Sequence, residues 1–151
     1  MVKVATDTLQ KLIARMDVSV FVNLISADNL ELGGPSFEID GEDAGLLIGR
    51  KGQTLRSLQV ITAMISSNKL NEQVRIDIDI AGYKSRRYES LANLASKVAG
   101  QVIGTGNSIT LEPMPSNERR IIHVTLADDE RVSSVSSGTG DSRKVTINPA
   151  E

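Results

Sequence analysis

Hydrophobic residues in the first part of this chain follow helical spacing in some segments and strict alternation in others. Residues 6–16 place apolar side chains three and four positions apart, which predicts an amphipathic helix capped by Thr6 or Thr8. The β-branched and mostly apolar stretch 18–26 predicts a well-buried strand. Apolar and polar residues alternate over 36–40, which predicts a second strand.

Two helices and a strand are predicted next. Residues 42–47 change from acidic to apolar and predict a short helix, and apolar residues at helical spacing after Gln53 predict a second helix. Residues 74–80 alternate strictly between apolar and polar side chains, which is typical of a strand covered on one face only. The predicted order up to this point is α-β-β-α-α-β, and it closes at about Ile80.

The second part of the chain begins with a long helix predicted over residues 83–103, which the glycines at 104 and 106 end. Its apolar stripe consists of Tyr88, Leu91, Ala95, Val98 and Val102. The remaining predicted elements are a strand over 108–112, a helix over 116–127 capped by Ser116, and a hairpin of strands over 131–137 and 143–148. The sequence therefore predicts an α+β protein with two domains, residues 1–81 and residues 82–151, the second ordered α-β-α-β-β.

The two central helices of the first domain are joined by Gly49-Arg50-Lys51-Gly52. Glycine has no Cβ, so this turn can take positive φ and another backbone can approach it closely. Amides of the turn, together with the positive end of the next helix, favour an anion such as a phosphate. Arg50 and Lys51 are both cationic. In this element order the turn corresponds to the GXXG loop of a type II KH domain, which clamps about four nucleotides of single-stranded backbone.

The charge distribution limits what such a site can be. All charged residues between Gly45 and Asn71 are cationic, namely Arg50, Lys51, Arg56 and Lys69, although the net charge of the chain is −2. A sequence pI near 5.5 argues against an indiscriminate polyanion binder, because such proteins are usually basic overall. With two Phe, two Tyr and no Trp, the stacking sheet of an RRM is not expected. A nucleic-acid site should therefore be local.

Two further groups of residues carry candidate chemistry in the second domain. Lys84, Arg86 and Arg87 lie in the first turn of the long helix, where cations oppose the helix dipole, which hints at a use beyond a solvated face. Arg119 and His123 are four residues apart and so share one helical face. A lone histidine is usually satisfied by a neighbouring backbone group, but an arginine one turn away makes a patch that can donate to phosphate and stack on a base.

Composition excludes several other classes of protein. The chain has no cysteine, which excludes disulfides and thiolate metal sites and agrees with a reducing cytosol. No apolar run approaches the roughly 18 residues of a membrane span, and residues 1–7 lack the apolar core of a signal peptide. No catalytic residue, metal site or cofactor is predicted.

Three runs of sequence resemble the bacterial SpoIIIJ-associated protein family (Jag, also called KhpB or EloR). They are residues 47–55, Leu-Ile-Gly-Arg-Lys-Gly-Gln-Thr-Leu; residues 79–87, Asp-Ile-Ala-Gly-Tyr-Lys-Ser-Arg-Arg; and residues 113–123, Pro-Met-Pro-Ser-Asn-Glu-Arg-Arg-Ile-Ile-His. A looser match covers residues 134–138, with Arg143 beyond them. Together these runs span most of the chain. Members of this family have a KH domain followed by a domain named for its Arg-x-x-x-His pair.

The resemblance implies a cytoplasmic, non-enzymatic protein that binds single-stranded RNA, with single-stranded DNA as an alternative ligand. It further implies a post-transcriptional regulator or RNA chaperone linked to cell elongation and division, with a smaller KH-only protein or a second copy as partner. Many members begin with an additional N-terminal domain, whereas this chain starts almost at the KH helix, so roles of that domain are not expected here. The RNA-binding residues predicted from the motifs and the resemblance are Gly49, Arg50, Lys51, Gly52, Arg56, Lys84, Arg86, Arg87, Arg119, His123 and Arg143.

Two alternative functions remain open from the sequence. In the first, Asp77 and Asp79 on one strand face, with the carboxylates at 40, 42 and 43, hold Mg²⁺ in a nuclease. In the second, the chain is a protein-interaction module that pairs with another KH protein through an exposed strand edge.

Overall fold

The computed structural model describes residues 1–151, which form two compact units, Met1–Lys84 and Ser85–Glu151. Helices and strands occur in the order that the sequence predicted, so the α+β fold class is confirmed. The division between the units falls in the first turn of the long helix.

The first unit combines three helices with one three-stranded sheet. Its elements are α1 Val2–Ala14, β1 Phe21–Asn29, β2 Gly34–Asp40, α2 Ala44–Ile48, α3 Gln53–Leu70 and β3 Asp77–Ile80. The sheet order is β1-β2-β3, with β1 antiparallel to β2 and β2 parallel to β3. A short 3₁₀ turn, Arg50–Gly52, connects α2 to α3.

The hydrophobic core of the first unit lies over β2 and β3. Phe37 and Ile39 of β2 alternate with polar residues, and Ile78 and Ile80 of β3 do the same, so all four point to one face and are at most 2% exposed. Apolar residues of the helices cover them, among them Leu9, Leu47, Leu55 and Leu58. This packing fixes the position at which α2 ends and α3 begins.

Two predictions for the start of the chain are wrong. Helix α1 begins at Val2 because Ala5 is fully buried and anchors an extra turn, so neither threonine is a cap. The Thr6 hydroxyl instead donates to the carbonyl of Val2 (2.8 Å), and the buried Thr8 hydroxyl accepts from Lys69 Nζ (3.2 Å). Strand β1 is not well buried, because it is one of the two edge strands of the sheet and the core lies over β2 and β3.

Strand β3 is shorter than the alternation of residues 74–80 predicted. Its pairing with β2 starts only at Ser36 and Asp77, although Val74 and Ile76 are buried as predicted. On its other edge, the Ile78 amide donates to the side-chain oxygen of Gln59 (3.1 Å), so a residue of α3 satisfies that edge.

The second unit contains two helices and one antiparallel sheet. Its elements are α4 Tyr83–Thr105, β4 Ile109–Thr110, α5 Ser116–Leu126, β5 Val132–Ser137 and β6 Lys144–Pro149, with sheet order β4-β6-β5. Gly106 ends α4 with φ of +71°, and its amide donates to the carbonyl of Val102. The predicted Ser116 cap is wrong, because Ser116 is already helical and no side chain caps α5.

The core of the second unit follows the predicted stripe of α4. Leu91, Ala95, Val98 and Val102 are buried, and Tyr88 is partly buried against the same core. Val145 and Ile147 of β6 point inward, as the hairpin pattern predicted, and are fully buried. No helix in either unit has the length and apolar character needed to cross a bilayer.

Candidate nucleic-acid interface

The Gly-x-x-Gly turn is a sharply bent segment between two helices. Helix α2 ends at Ile48 with Gly49 as its C-cap, and α3 begins at Gln53, whose amide donates to the carbonyl of Arg50. Three of the four turn residues have positive φ, namely Gly49 (+71°), Lys51 (+54°) and Gly52 (+75°). This backbone presents Arg50 and Lys51 to solvent at the first turn of an 18-residue helix.

Both glycines are required by their surroundings as well as by their φ values. At Gly49, φ +71° with ψ −172° is a combination that is essentially restricted to glycine, and a Cβ there would collide with the side chain of Thr54. A Cβ on Gly52 would lie 2.7 Å from ring atom Cε1 of Tyr83. The turn is therefore held between Thr54 on one side and the Tyr83 ring on the other.

Arg56 stabilises the conformation of the turn. Its Nη1 donates to the carbonyl of Lys51 (2.8 Å), which bridges the first turn of α3 back to the loop. Lys51 is a non-glycine residue in the left-handed region, and this hydrogen bond helps to hold it there. The structure thus gives Arg56 a positioning role beside the two cations at the tip.

Tyr83 is a site residue that sequence reasoning did not single out. It lies at the start of α4, directly after Ala81 (φ +49°) and Gly82 (φ +67°). Two carboxylates fix this bend, since Glu38 accepts from the Gly82 amide (3.0 Å) and Asp79 accepts from the Lys84 amide (3.1 Å). An aromatic residue directly after a bend that ends a strand was the available signal.

The three predicted cations of α4 have different environments. Lys84 Nζ contacts Asp77 (2.5 Å) and Gln59 (3.1 Å), which ties the first residues of α4 to β3 and α3. Arg87 forms a two-pronged pair with Glu118, with both N–H···O distances at 3.1 Å. Arg86 is exposed. These contacts account for the position of Lys84 and Arg87 near the positive end of α4, where cations alone would be unfavourable.

Arg119 and His123 form a polar cluster with two serines of β5. His123 Nδ1 lies 2.7 Å from Ser134 Oγ, and Nε2 lies 2.8 Å from Ser136 Oγ. Arg119 Nη1 contacts the same Ser136 hydroxyl at 3.4 Å, and its Nε donates to the carbonyl of Met114 (3.1 Å). Both side chains are half-buried. Two serine hydroxyls satisfy the ring nitrogens of His123, in place of the backbone group that is usual for a lone histidine.

Ser134 and Ser136 were not among the predicted site residues. The signal for them was alternation, because Val132, Ser134 and Ser136 share the face of β5 that points toward the helices, where apolar residues would be expected. Two polar residues on such a face require partners, and α5 supplies them.

Arg143 lies close to this cluster through the backbone of Met114. The Met114 amide donates to the carbonyl of Arg143 (3.2 Å), while the Met114 carbonyl accepts from Arg119. The Arg143 side chain donates to the carbonyl of Gly138 in the hairpin turn (2.8 Å). The backbone of Met114 thus links Arg143 to Arg119, while the Arg143 side chain contacts the hairpin turn.

Arg131 and Asp129 form an exposed pair at the start of β5. The guanidinium contacts both carboxylate oxygens at 3.0 Å. The side-chain hydrogen bond from Arg131 is the main cause that lowers the pKa of Asp129, and the same bond raises the pKa of Arg131. Both groups therefore stay charged near neutral pH and offset one another.

Three of the carboxylates that the nuclease alternative would use for Mg²⁺ form hydrogen bonds or an ion pair within the protein. Asp77 pairs with Lys84, Asp79 accepts from two backbone amides, and Asp43 accepts from the Ser19 amide (2.6 Å). No group of three or more His, Cys, Asp or Glu residues is arranged to hold a metal ion.

Comparison with known proteins identifies both parts of the chain. A family model described as KhpA/KhpB, KH domain matches residues 3–78, and a model of the R-three-H domain, named for its Arg-x-x-x-His pair, matches residues 89–149. The chain is 41% identical over 113 residues to the RNA-binding protein KhpB of Bacillus subtilis, a match that covers 74% of this chain and 54% of that relative. It is 40% identical over 109 residues to the RNA-binding protein KhpB of Clostridium symbiosum, covering 72% of this chain and 49% of that one.

The matched region is about half of each of these two relatives. In this chain the Gly-x-x-Gly turn and the Arg-x-x-x-His pair each lie within the domain that its family model describes. The chain belongs to the KhpA/KhpB family of KH domains, and it continues with an R-three-H domain.

Proposed function

We propose that this protein binds single-stranded RNA without catalysing a reaction, and that the Gly49–Gly52 turn grips the phosphate backbone. The observation that carries the proposal is the turn itself, which presents Arg50 and Lys51 where helix α3 begins. A phosphate at this position interacts with the positive end of α3 and with two cations. The relatives that match this chain are named RNA-binding proteins, which supports the same ligand class.

We propose a second RNA contact at Arg119. Its guanidinium has five N–H donors, and the bonds to Met114 and Ser136 account for two of them, which leaves three for a phosphate or a base edge. His123 uses both ring nitrogens on serines, so its role is to hold Ser136 and hence the orientation of Arg119. Lys84 and Arg87 are left out of the proposed surface because carboxylates already engage them.

Replacing Arg50 and Lys51 together with Asp tests the loop. We expect the double variant to lose most of its affinity for a single-stranded RNA, because two attractive charges become repulsive ones. The measurement is fluorescence anisotropy of a labelled oligonucleotide, with circular dichroism to show that the fold is retained. Binding that equals wild type would show that the loop does not contact the RNA.

The same mixtures of protein and labelled RNA also test whether the protein cleaves RNA. Labelled RNA should stay intact for hours with excess protein and Mg²⁺, since carboxylates of the alternative site hydrogen-bond to protein groups. Cleavage that disappears in Asp77→Asn would establish the nuclease instead. A DNA strand of the same sequence, titrated in parallel, shows whether the 2′-hydroxyl is recognised.

The biological role that we propose is that of a cytoplasmic post-transcriptional regulator or RNA chaperone connected with cell elongation and division. This part rests on the family resemblance. Crosslinking the protein to RNA in cells and sequencing the bound fragments identifies the transcripts, and transcripts unrelated to growth and division would contradict it.

A second candidate function is pairing with another KH domain, either a KH-only protein or a second copy. Two exposed apolar surfaces favour it. The outer strand β1 exposes Phe21 and Ile25 by 56% and 66%, and helix α3 exposes Val60 and Met64 by 55% and 66%. Burial of such surfaces is the usual driving force of association.

One charged substitution on each surface separates the two modes of pairing. Ile25→Lys disrupts addition of a strand at β1, whereas Met64→Glu disrupts packing on α3. Light scattering coupled to size exclusion gives the mass of the protein alone and with a KH-only relative. A monomer at all concentrations, with and without that relative, would contradict this candidate.

A further inference from the structure

Helix α5 has a third face, beside its core face and the face of the Arg-x-x-x-His cluster, and this third face is only partly covered. Glu118, Ile122 and Leu126 of this helix are buried in the core. Asn117, Arg120, Ile121 and Val124 recur at helical spacing on a different face and line a groove of about 680 Å³ together with Tyr88 and Ser116. Val124 is 63% exposed, whereas Ile121 is partly buried against the core of the second unit.

The ring of Tyr88 is held in place at this groove. The side-chain amide of Asn117 donates to the Tyr88 hydroxyl (3.1 Å), and the ring packs against the core of the second unit. A ring fixed at its polar end and packed at its base is a rigid platform, so a ligand that stacks on it loses little additional entropy.

The charge around the groove selects the kind of ligand. The lining residues include the cation Arg120 and no carboxylate, so an anionic or electron-rich planar group is favoured over a cationic one. Arg119, the proposed phosphate contact, is the neighbour of Arg120 on the same helix. Successive residues of an α-helix point about 100° apart, so Arg120 lies on the side of α5 next to the face that carries Arg119. A strand whose phosphate binds at Arg119 can therefore place a neighbouring base at this groove.

We infer that the groove formed by Tyr88, Ile121, Val124 and Arg120 is a stacking site for a base of the bound RNA strand. This inference rests on the proposed function, because a base reaches the groove only as part of a bound strand. Stacking on an aromatic ring tolerates any base, so the site adds affinity without adding strong sequence preference.

The direct test compares an intact RNA strand with an abasic ribose-phosphate strand of the same length. Tyr88→Leu keeps apolar volume but removes the stacking ring. We expect it to weaken binding of the intact strand by roughly 5- to 150-fold and to leave binding of the abasic strand unchanged. Equal weakening of both strands, or of neither, overturns the stacking site.

Two exposed valines of the same unit provide a matched pair. Val124 lies in the groove, whereas Val135 lies on the opposite face of β5 from the serine cluster and is 53% exposed. Val124→Ser should reduce the preference for the intact over the abasic strand, and Val135→Ser should not. Equal effects of the two changes would contradict a defined groove.

Tyrosine emission gives a readout that does not depend on the stability of Tyr88→Leu. The chain has two tyrosines and no tryptophan, so Tyr83→Phe leaves Tyr88 as the single emitter. The intact strand should quench this emission at saturation and the abasic strand should not; quenching by neither strand overturns the inference. If wild type binds no RNA at all, the proposed function fails too, whereas tight binding unaffected by Tyr88→Leu overturns the stacking site alone.

Discussion

At the scale of single residues, the Gly-x-x-Gly turn depends on positive φ angles, which residues other than glycine rarely adopt. Gly49 and Gly52 differ in what surrounds them, since one faces Thr54 and the other the ring of Tyr83. Lys51 takes the left-handed region without being glycine, and a hydrogen bond from Arg56 holds its carbonyl. Strain of this kind persists only where the surrounding structure fixes it.

Gly52→Ala is expected to destabilise the first unit. A Cβ at φ +75° costs about 1–2 kcal/mol, and the contact with Tyr83 adds to that, so the melting temperature should fall by at least about 4 °C. The matched control is Gly45→Ala, which lies in helix α2 with no heavy atom within 4 Å of the new Cβ. It should be neutral or stabilise by up to about 1 kcal/mol. Equal melting temperatures for Gly52→Ala and wild type would contradict the strained turn.

At the scale of secondary-structure elements, the pair of Arg87 and Glu118 joins α4 to α5. The side chain of Glu118 is 5% exposed and that of Arg87 is 22% exposed, so a buried carboxylate is paired with a largely buried guanidinium. The pair explains why a glutamate occupies a buried position on the core face of α5. It also explains why a cation lies near the start of α4.

Arg87→Ala is expected to destabilise the second unit by about 3–5 kcal/mol, because it removes the paired cation from a buried carboxylate. The double change Arg87→Met with Glu118→Leu should recover most of that loss, since no charge then stays buried. Chemical denaturation of the three proteins gives the comparison. If Arg87→Ala instead keeps its stability and loses RNA affinity, Arg87 is an RNA contact as the sequence predicted.

The order of helices and strands could be predicted from the sequence, because the spacing of apolar residues shows which side of each element is buried. The stripe of α4 and the inward residues of β6 are examples, since each pattern has one solution that buries it. Exposure of β1 could not be predicted in this way, because which strands the helices cover depends on packing between distant parts of the chain. The support of Gly52 by Tyr83 and of His123 by two serines was missed for the same reason, as these contacts link separate elements.

At the scale of the whole molecule, each unit carries one proposed RNA contact and one chain connects them. Two linked contacts on one strand bind at a high effective concentration, so their affinities combine. This gain requires an RNA strand that is long enough to reach both contacts.

Affinity should therefore rise steeply for RNA strands longer than about four nucleotides, the span of one KH site, and then level off. Replacing Arg119 and His123 together with Ala should leave tetranucleotide binding nearly unchanged and remove the gain for longer strands. Titration of a length series against both proteins measures this, with circular dichroism as the control for folding. A loss by the same factor at every length would show that the pair supports the fold and is not an independent contact.

The dependence of RNA affinity on salt shows whether the Gly-x-x-Gly turn grips phosphates, because it counts the backbone contacts that the protein makes. For single strands, each contact contributes about 0.7 to the slope of log affinity against log salt. Arg50→Ala with Lys51→Ala removes two such contacts, so the slope should fall by about 1.4 while the fold stays intact. An unchanged slope and affinity in the double variant would mean that the turn does not hold the RNA backbone.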